Sequence, residues 1–447
     1  MFEFGWRRLA VSGGAALMLV ASSLPAAQVL AAAPATGHTL PANTKFYVPP
    51  PPDGSVAQII DLLKHRDVKD AFLIGDMIST SQAVWLNGGT PAQVKKSVQQ
   101  TMFGAALQKA VPVFVAYDIP GRDCSQFSAG GAANLAAYEA WIDGVAAGIG
   151  KTKAVVIVEP DGLGLIPSVC PTPSTFTDAD RYTELNYAVD KLETNPNVSV
   201  FLDGTHSDWL NVADASSRLV TAGVLRAQGF FLNVSNFQYT PNLVNYGSWV
   251  ADCITYATVV APGSYAACPD QYWNGGPKPA KITTLINPGT GLPFGEWNGV
   301  RLSPYGQWSD ASDTPEFNTS GENVRYATML GTVVPTVKFV VDTSRNAVGP
   351  WNPTPYSKEV GQDWCNPPNR GLGLTPTANT GNALVAAYLW VKTPGQSDGA
   401  CNRWNPVGGI DPVRNMMDPA AGAWFPQMAL ELVKNANPPL WLPKGVK

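Results

Sequence analysis

Charge is scarce in this chain. Only 14% of its 447 residues are Asp, Glu, Lys or Arg, and the formal balance is −4 at neutral pH. A surface so weakly charged, with no basic run, offers no electrostatic footprint for nucleic acid. Histidine is rarer still: His38, His65 and His206 are the only three. Without a clustered Cys/His pattern, that count argues against a catalytic zinc site, and nothing in the residues calls for a cofactor or metal. A long apolar run occurs once, from about Leu9 to Leu24, after Arg7 and Arg8 and before Ala31-Ala32-Ala33. Its short core and its Ser and Gly content fit an export signal over residues 1–33 better than a retained membrane anchor. No Ser/Thr/Pro-rich linker follows. Residues 34–45 form an extended lead-in, Pro49–Pro52 is stiff and close to polyproline II, and 46–447 reads as one large domain.

Glycine, proline and aromatics are plentiful: 42 Gly, 39 Pro, 14 Trp and 14 Tyr. Many loops with few charges suit a rigid cleft walled by rings, although most of the rings serve as core filling. Six cysteines in an exported chain imply disulfides, whose pairing the residues alone leave open.

The most telling stretch is Ala154–Asp161, AVVIVEPD. Its β-branched run reads as a strand buried on both faces, as in a parallel sheet. Glu159 and Asp161 follow at the C-terminal end, where α/β folds place their active sites. A carboxyl group against an apolar wall keeps its proton to higher pH, which a general acid requires. The same grammar recurs. Val111–Tyr117 leads into Pro120, Arg122 and Asp123; Val198–Leu202 into Asp203, His206 and Trp209; Gly229–Leu232 into Asn233 and Asn236. Val337–Val341 leads into Asp342 and Arg345, and Leu384–Val391 into Lys392 and Asp398. Leu135–Ile149, Arg181–Leu192 and Ala213–Ala227 have helical spacing between them. Strand, polar loop and helix in repeated order predict an α/β fold, a (β/α) barrel whose loops meet at one carboxylate-lined mouth.

Several of these segments resemble glycoside hydrolase family 6. Val115-x-Tyr117-x-x-Pro120-x-Arg122-Asp123-Cys124, followed by the small residues Ser128, Ala129 and Gly131, resembles its first signature, and VVIVEPD its second. Leu202–Trp209, Asn233–Asn236, Asp342–Asn346, Asp363–Pro368, Trp390–Gly399 and Ala421–Phe425 are similar to further blocks of that family, in its order. The resemblance spans about Phe46 to Leu442. It implies a distorted, TIM-barrel-like fold of seven parallel strands. It also implies a secreted cellulase that cleaves β-1,4-glucan or cello-oligosaccharides with inversion, as a monomer with no nucleic-acid or membrane partner.

By the same resemblance Asp161 is the proton donor, Asp123 the second essential aspartate and Asp398 the candidate base. In an inverting hydrolase acid and base stand about 6.5–9.5 Å apart, which leaves room for the attacking water. Arg122, next to Asp123, is expected to hold a carboxylate in its fork. Tyr117 would crowd the reactive sugar. Trp85, Asp203, His206, Trp209, Asn233, Trp364 and Lys392 match sugar-contacting or site positions. The resemblance pairs Cys124 with Cys170 and Cys365 with Cys401, leaving Cys253 with Cys268, so that two bridges clamp loops bearing Asp123 and Asp398.

Three departures stand out. Gln396 replaces a Glu, losing charge but not hydrogen-bonding shape. Val212 replaces a second tryptophan of the cellobiohydrolase pattern. Ser128 and Ala129 occupy positions where many members place a water-holding serine. Tyr239–Gly321, with a Gly/Pro/Asn-rich run from Asn274 to Gly299, is longer than in compact members and is expected to be an insertion packed on the barrel and pinned by its own disulfide. The short separation of Cys365 and Cys401 favours an open, endo-acting cleft over the roofed tunnel of a cellobiohydrolase. A non-catalytic glucan-binding relative is the remaining alternative, argued against by intact Asp123, Asp161 and Asp398.

Overall fold

The computed structural model describes residues 40–170, 174–272, 302–309, 318–353, 362–403 and 409–442. The expected signal, residues 34–39 and the run Asn274–Gly299 lie outside the described residues.

Seven strands form one sheet in strict chain order, every pairing parallel. They are β1 (Val84–Leu86), β2 (Val113–Ala116), β3 (Ala154–Val158), β4 (Val198–Asp203), β5 (Gly229–Leu232), β6 (Lys338–Asp342) and β7 (Val385–Leu389). Helices fill the crossovers: α3 (Pro91–Gln108), α4 (Leu135–Ile149), α5 (Asp178–Leu192), α6 (Val212–Thr221), then α7 (Thr240–Thr255) and α8 (Thr319–Leu330) between β5 and β6. Two earlier helices, α1 (Ser55–Lys64) and α2 (Val68–Ile78), pack with the late α9 (Pro426–Lys434).

Strand twist curls the sheet until its edges approach. The Ala83 amide reaches the Trp390 carbonyl at 2.9 Å, and the Trp85 indole reaches the Val391 carbonyl at 2.8 Å. No continuous β1–β7 ladder forms among the described residues, so the barrel is distorted and open at one seam.

The uninterrupted apolar runs follow from burial on both sheet faces. Phe114, Val156, Val200, Phe230 and Phe339 point outward into the helix layer, where Phe230 and Phe339 stack with centroids 5.3 Å apart. Their neighbours Val115, Ile157, Phe201, Phe231 and Val340 fill the barrel interior. This alternation gives each strand two apolar faces.

Helix starts follow ordinary capping chemistry. Thr90 with Gln93 and Thr177 with Asp180 make reciprocal capping boxes. Two expectations change. The helix expected over Ala213–Ala227 ends at Thr221, because Gly223 takes the left-handed conformation (φ 96°) that stops it, and Val224–Arg226 forms a separate 3₁₀ turn. The expected insertion at Tyr239–Gly321 begins on α7, which buries Tyr246, Trp249 and Val250 in the main core; this portion belongs to the barrel wall. The disulfide Cys253–Cys268 ties the end of α7 to the segment after it. Among the described residues no helix is long and apolar enough to cross a membrane.

Candidate active site

The C-terminal ends of the strands converge on one cleft of about 1160 Å³, its open mouth included. Non-glycine residues in the left-handed region stand on the cleft wall, Asp123 (φ 55°), Asp161 (64°) and Ser235 (62°), and in the segments that support it, Glu159 (53°), Thr205 (57°), Asn233 (70°) and Asn366 (41°). Such conformations cost free energy and persist where surrounding contacts over-determine them, typically at functional sites.

Nine of the residues singled out from the sequence lie on the cleft wall: Trp85, Tyr117, Asp123, Asp161, His206, Trp209, Trp364, Lys392 and Asp398. Trp85 meets Tyr117 edge-on, with ring centroids 5.3 Å apart. His206 packs near Trp209 at 5.6 Å, and burial lowers its pKa to about 3, so it is neutral under working conditions.

The three wall carboxyls expected from the sequence, Asp161, Asp123 and Asp398, occupy different electrostatic environments. Asp161 is pushed well above the usual carboxylate range, first by burial, then by the like charges of Asp203, Asp123 and Asp398; Lys392 opposes the shift. Asp123 is raised to about 6, again chiefly by burial, although the Ser128 amide donates to it at 2.7 Å and Arg122 lies nearby. Asp398 goes the other way. Burial alone would raise it, but the Arg345 guanidinium at 2.9 Å and the Lys392 ammonium at 3.3 Å outweigh burial and hold it below the ordinary value. Two carboxyls on one cleft wall, one pushed toward keeping its proton and one toward losing it, are the elements of acid–base catalysis.

Four expected site residues do not line the cleft. Arg122 does not hold a carboxylate in its fork. Its Nε donates to the Ser128 carbonyl at 2.8 Å, and its two terminal nitrogens donate to the carbonyls of Tyr117, Asn87 and Ala129. Its guanidinium lies 4.6 Å from the centroid of the Tyr117 ring, so it braces the loop from behind. Both Asp203 oxygens are taken by backbone amides: Leu163 and Gly164 at 3.2 Å, Thr205 at 2.9 Å. It anchors the loop after Asp161 and acts on Asp161 through charge. The Asn233 amide is spent on the Asn236 and Asp342 carbonyls and the Gln238 N–H. Gln396 is half-buried, in a β-bridge with Trp424.

Glu159, at the same strand end as Asp161, turns inward instead. It accepts the Asp118 and Ile119 amides at 3.0 Å and is raised to about 8 by burial. It ties β3 to the loop that carries Asp123. The disulfides pair Cys124 with Cys170 and Cys365 with Cys401, as the resemblance implies, on the loops that bear Asp123 and Asp398. Among the described residues no three His, Cys, Asp or Glu side chains group as a metal site.

A sequence model of the glycosyl hydrolases family 6 matches residues 41–268 and 295–436. The chain belongs to this family. The stretch that the family model passes over, 269–294, is narrower than the insertion expected from the sequence.

Among curated relatives of this family 6 chain, Endoglucanase A of Cellulomonas fimi is 29% identical over 369 residues, which are 82% of this chain and 57% of that protein. Endoglucanase 1 of Streptomyces sp. (strain KSM-9) is 30% identical over 346 residues, 76% of this chain and 70% of that protein. The chain spans little more than half the length of several of these relatives. The solved endoglucanase Cel6 of Mycobacterium tuberculosis, in complex with a methyl-cellobiosyl-4-deoxy-4-thio-β-D-cellobioside, is 29% identical with a TM-score of 0.59. That match covers 88% of this chain and 98% of the solved one.

Sequence reasoning gave Arg345 no partner and did not single out Phe127 in this family 6 cleft. Arg345, three residues past β6, donates to Asp398 and to the Ser235 carbonyl and lies 4.3 Å from the centroid of the Phe237 ring. The strand-end grammar had placed it at the mouth, without a partner. Phe127 reaches the wall and lies tilted on Trp364 at 6.2 Å. Only glycine fits opposite it at residue 399, where a Cβ would come within 2.7 Å of Phe127.

Proposed function

We propose that this chain is a secreted, inverting β-1,4-glucanase that hydrolyses cellulose or a related β-glucan from within the polymer. The observation that carries this reading is the opposite displacement of two wall carboxyls, Asp161 upward and Asp398 downward. Asp161, which burial and three neighbouring acids make hold its proton to higher pH than an ordinary aspartic acid, donates that proton to the glycosidic oxygen as the leaving sugar departs. Asp398 stays ionised and accepts the proton of the water that attacks from the opposite face. The cations that keep it ionised also weaken it as a base, so its contribution depends on how well it holds that water. Asp123 at about 6 exchanges protons readily near the working pH and is suited to re-protonate Asp161 through water. Trp85, Trp209 and Trp364 supply ring faces on which sugars stack, and neutral Tyr117 sits where it crowds the reactive ring.

Endo action is supported by the short span of 36 residues between Cys365 and Cys401 and by the endoglucanases among the relatives. A second reading, a cellobiohydrolase with a roofed site, is favoured by one observation. Phe127 touches Trp364 and Gly399, so the two disulfide-bearing loops meet at the mouth. Three disulfides agree with export into an oxidising compartment, and the reading takes the working form as a monomer.

Viscosity loss measured against reducing-sugar release on a soluble cellulose derivative separates the readings. A steep early fall in viscosity is expected. Sugar release with little viscosity loss would favour the roofed site, and binding without release a non-catalytic glucan-binding protein.

A further inference from the structure

Asn366 is fully buried, and each of its polar atoms is engaged. Its amide N–H donates to Asp398 Oδ2 at 3.0 Å, while its side-chain Oδ1 accepts the Asp398 N–H at 2.8 Å. The contact is therefore reciprocal: backbone to carboxylate in one direction, side chain to backbone in the other. The Nδ2 group faces Ser397 Oγ, the Gly399 carbonyl and Asp418 Oδ2, all within 2.9–3.0 Å. Its carbonyl accepts from Arg403 at 3.3 Å and from Arg414 at 2.9 Å, and Arg414 continues to Glu431 on α9. The residue sits at φ 41°, in the left-handed region that Asn tolerates better than most.

From this geometry we infer that Asn366 is a positioning residue for Asp398, fixing the place of its carboxylate by bracketing residue 398 from both main chain and side chain. The inference rests on the reading of Asp398 as the base. Arg345 and Lys392 supply charge to that carboxylate but approach it from the strand ends. Among the described residues Asn366 alone also binds the main chain of residue 398, and so sets where the carboxylate begins. A buried network of this kind rigidifies when every member is satisfied, and a base displaced by about 1 Å can cost about 100-fold in rate.

Two variants separate the halves of the bracket. Asn366→Gly keeps the left-handed backbone and the N–H to Asp398 but removes the side-chain amide. Asn366→Asp keeps an acceptor for the Asp398 N–H and replaces the donors with a negative charge. That charge would face Asp398 and Asp418, with Arg345, Lys392, Arg403 and Arg414 as the surrounding cations and Asp161 and Asp411 as the further acids.

Steady-state kinetics on one soluble β-glucan should show kcat reduced by about 100-fold in Asn366→Gly, with KM little changed. Titration of the Asp398 carboxyl by carbon-13 NMR, assigned by its loss in Asp398→Asn, should show its midpoint raised in both variants, more in Asn366→Asp. Unchanged kcat with an unmoved midpoint would overturn the inference. So would a loss of kcat that tracks a lower unfolding temperature while the midpoint stays put, which would make Asn366 a general loop support. A wild-type protein that releases no sugar from any β-glucan defeats the functional reading instead, and the carboxyl titration still decides the role of Asn366.

Discussion

The Arg345 guanidinium holds the Asp398 carboxylate at 2.9 Å, a buried pair formed between the segment after β6 and the segment after β7. A carboxylate so paired remains charged where an isolated buried one would not. Among the described residues Asp161 has no such ion pair; three further acids raise it, and Lys392 opposes them. The opposite shifts of Asp161 and Asp398 follow from which strand end brings a guanidinium.

Asp161→Asn removes the proton donor with almost no change in volume. Hydrolysis of unactivated glucans should fall below about a hundredth of wild type, since a positioned acid contributes about 10²–10⁴-fold. Binding of cello-oligosaccharides, read by calorimetry, should persist. Residual activity well above that level would remove Asp161 from the donor role.

The pH profile of kcat/KM follows from the signs of the shifts. Asp161 works protonated and its pKa is raised, so the alkaline limb should lie well above the ordinary carboxylate range. Asp398 works ionised and its pKa is lowered, so the acidic limb should lie below that range. After burial, the charge of Asp203 is the largest cause of the Asp161 shift, and Asp203→Asn should move the alkaline limb to lower pH. An acidic limb near 6 would instead identify ionised Asp123 as the required base.

Mild reduction should lower activity before the fold is lost. Cys124–Cys170 and Cys365–Cys401 hold loops at the mouth, whereas the barrel is held by its own two cores. Each bridge contributes about 2–4 kcal/mol. Activity and near-ultraviolet circular dichroism should separate along a thiol titration; if they fall together at every dose, the bridges act as global staples.

Much of the barrel was readable because β2 to β5 and nearly all of β6 are buried on both faces and leave dense apolar runs, with β7 buried on one face. β1 escaped notice: at three residues, with Trp85 only partly buried, it has too little pattern. Placing the carboxyls at strand ends succeeded for the same topological reason. Partners across the mouth were not readable. Chain adjacency assigned Arg122 to a carboxylate, yet the loop turns its guanidinium onto carbonyls behind Tyr117. The nearer of the two cations on Asp398, Arg345, stands 53 residues earlier, and the bracket at Asn366 stands 32 residues earlier. Gln396, two residues from Asp398 in the chain, bridges Trp424 through its main chain and does not line the cleft. Such pairings depend on how separate loops fold over a common mouth, which local pattern does not encode.

The central claim is that water attacks opposite the leaving sugar, activated at Asp398 while Asp161 donates, without a covalent sugar–enzyme intermediate. Proton NMR of a cello-oligosaccharide during the first minutes of hydrolysis tests it directly, because the anomer formed first records the stereochemistry before mutarotation. The expected result is the α-anomer appearing first. An initial β-anomer would require a covalent intermediate, with carboxyls only about 5–5.5 Å apart, and would contradict the assignment of both residues.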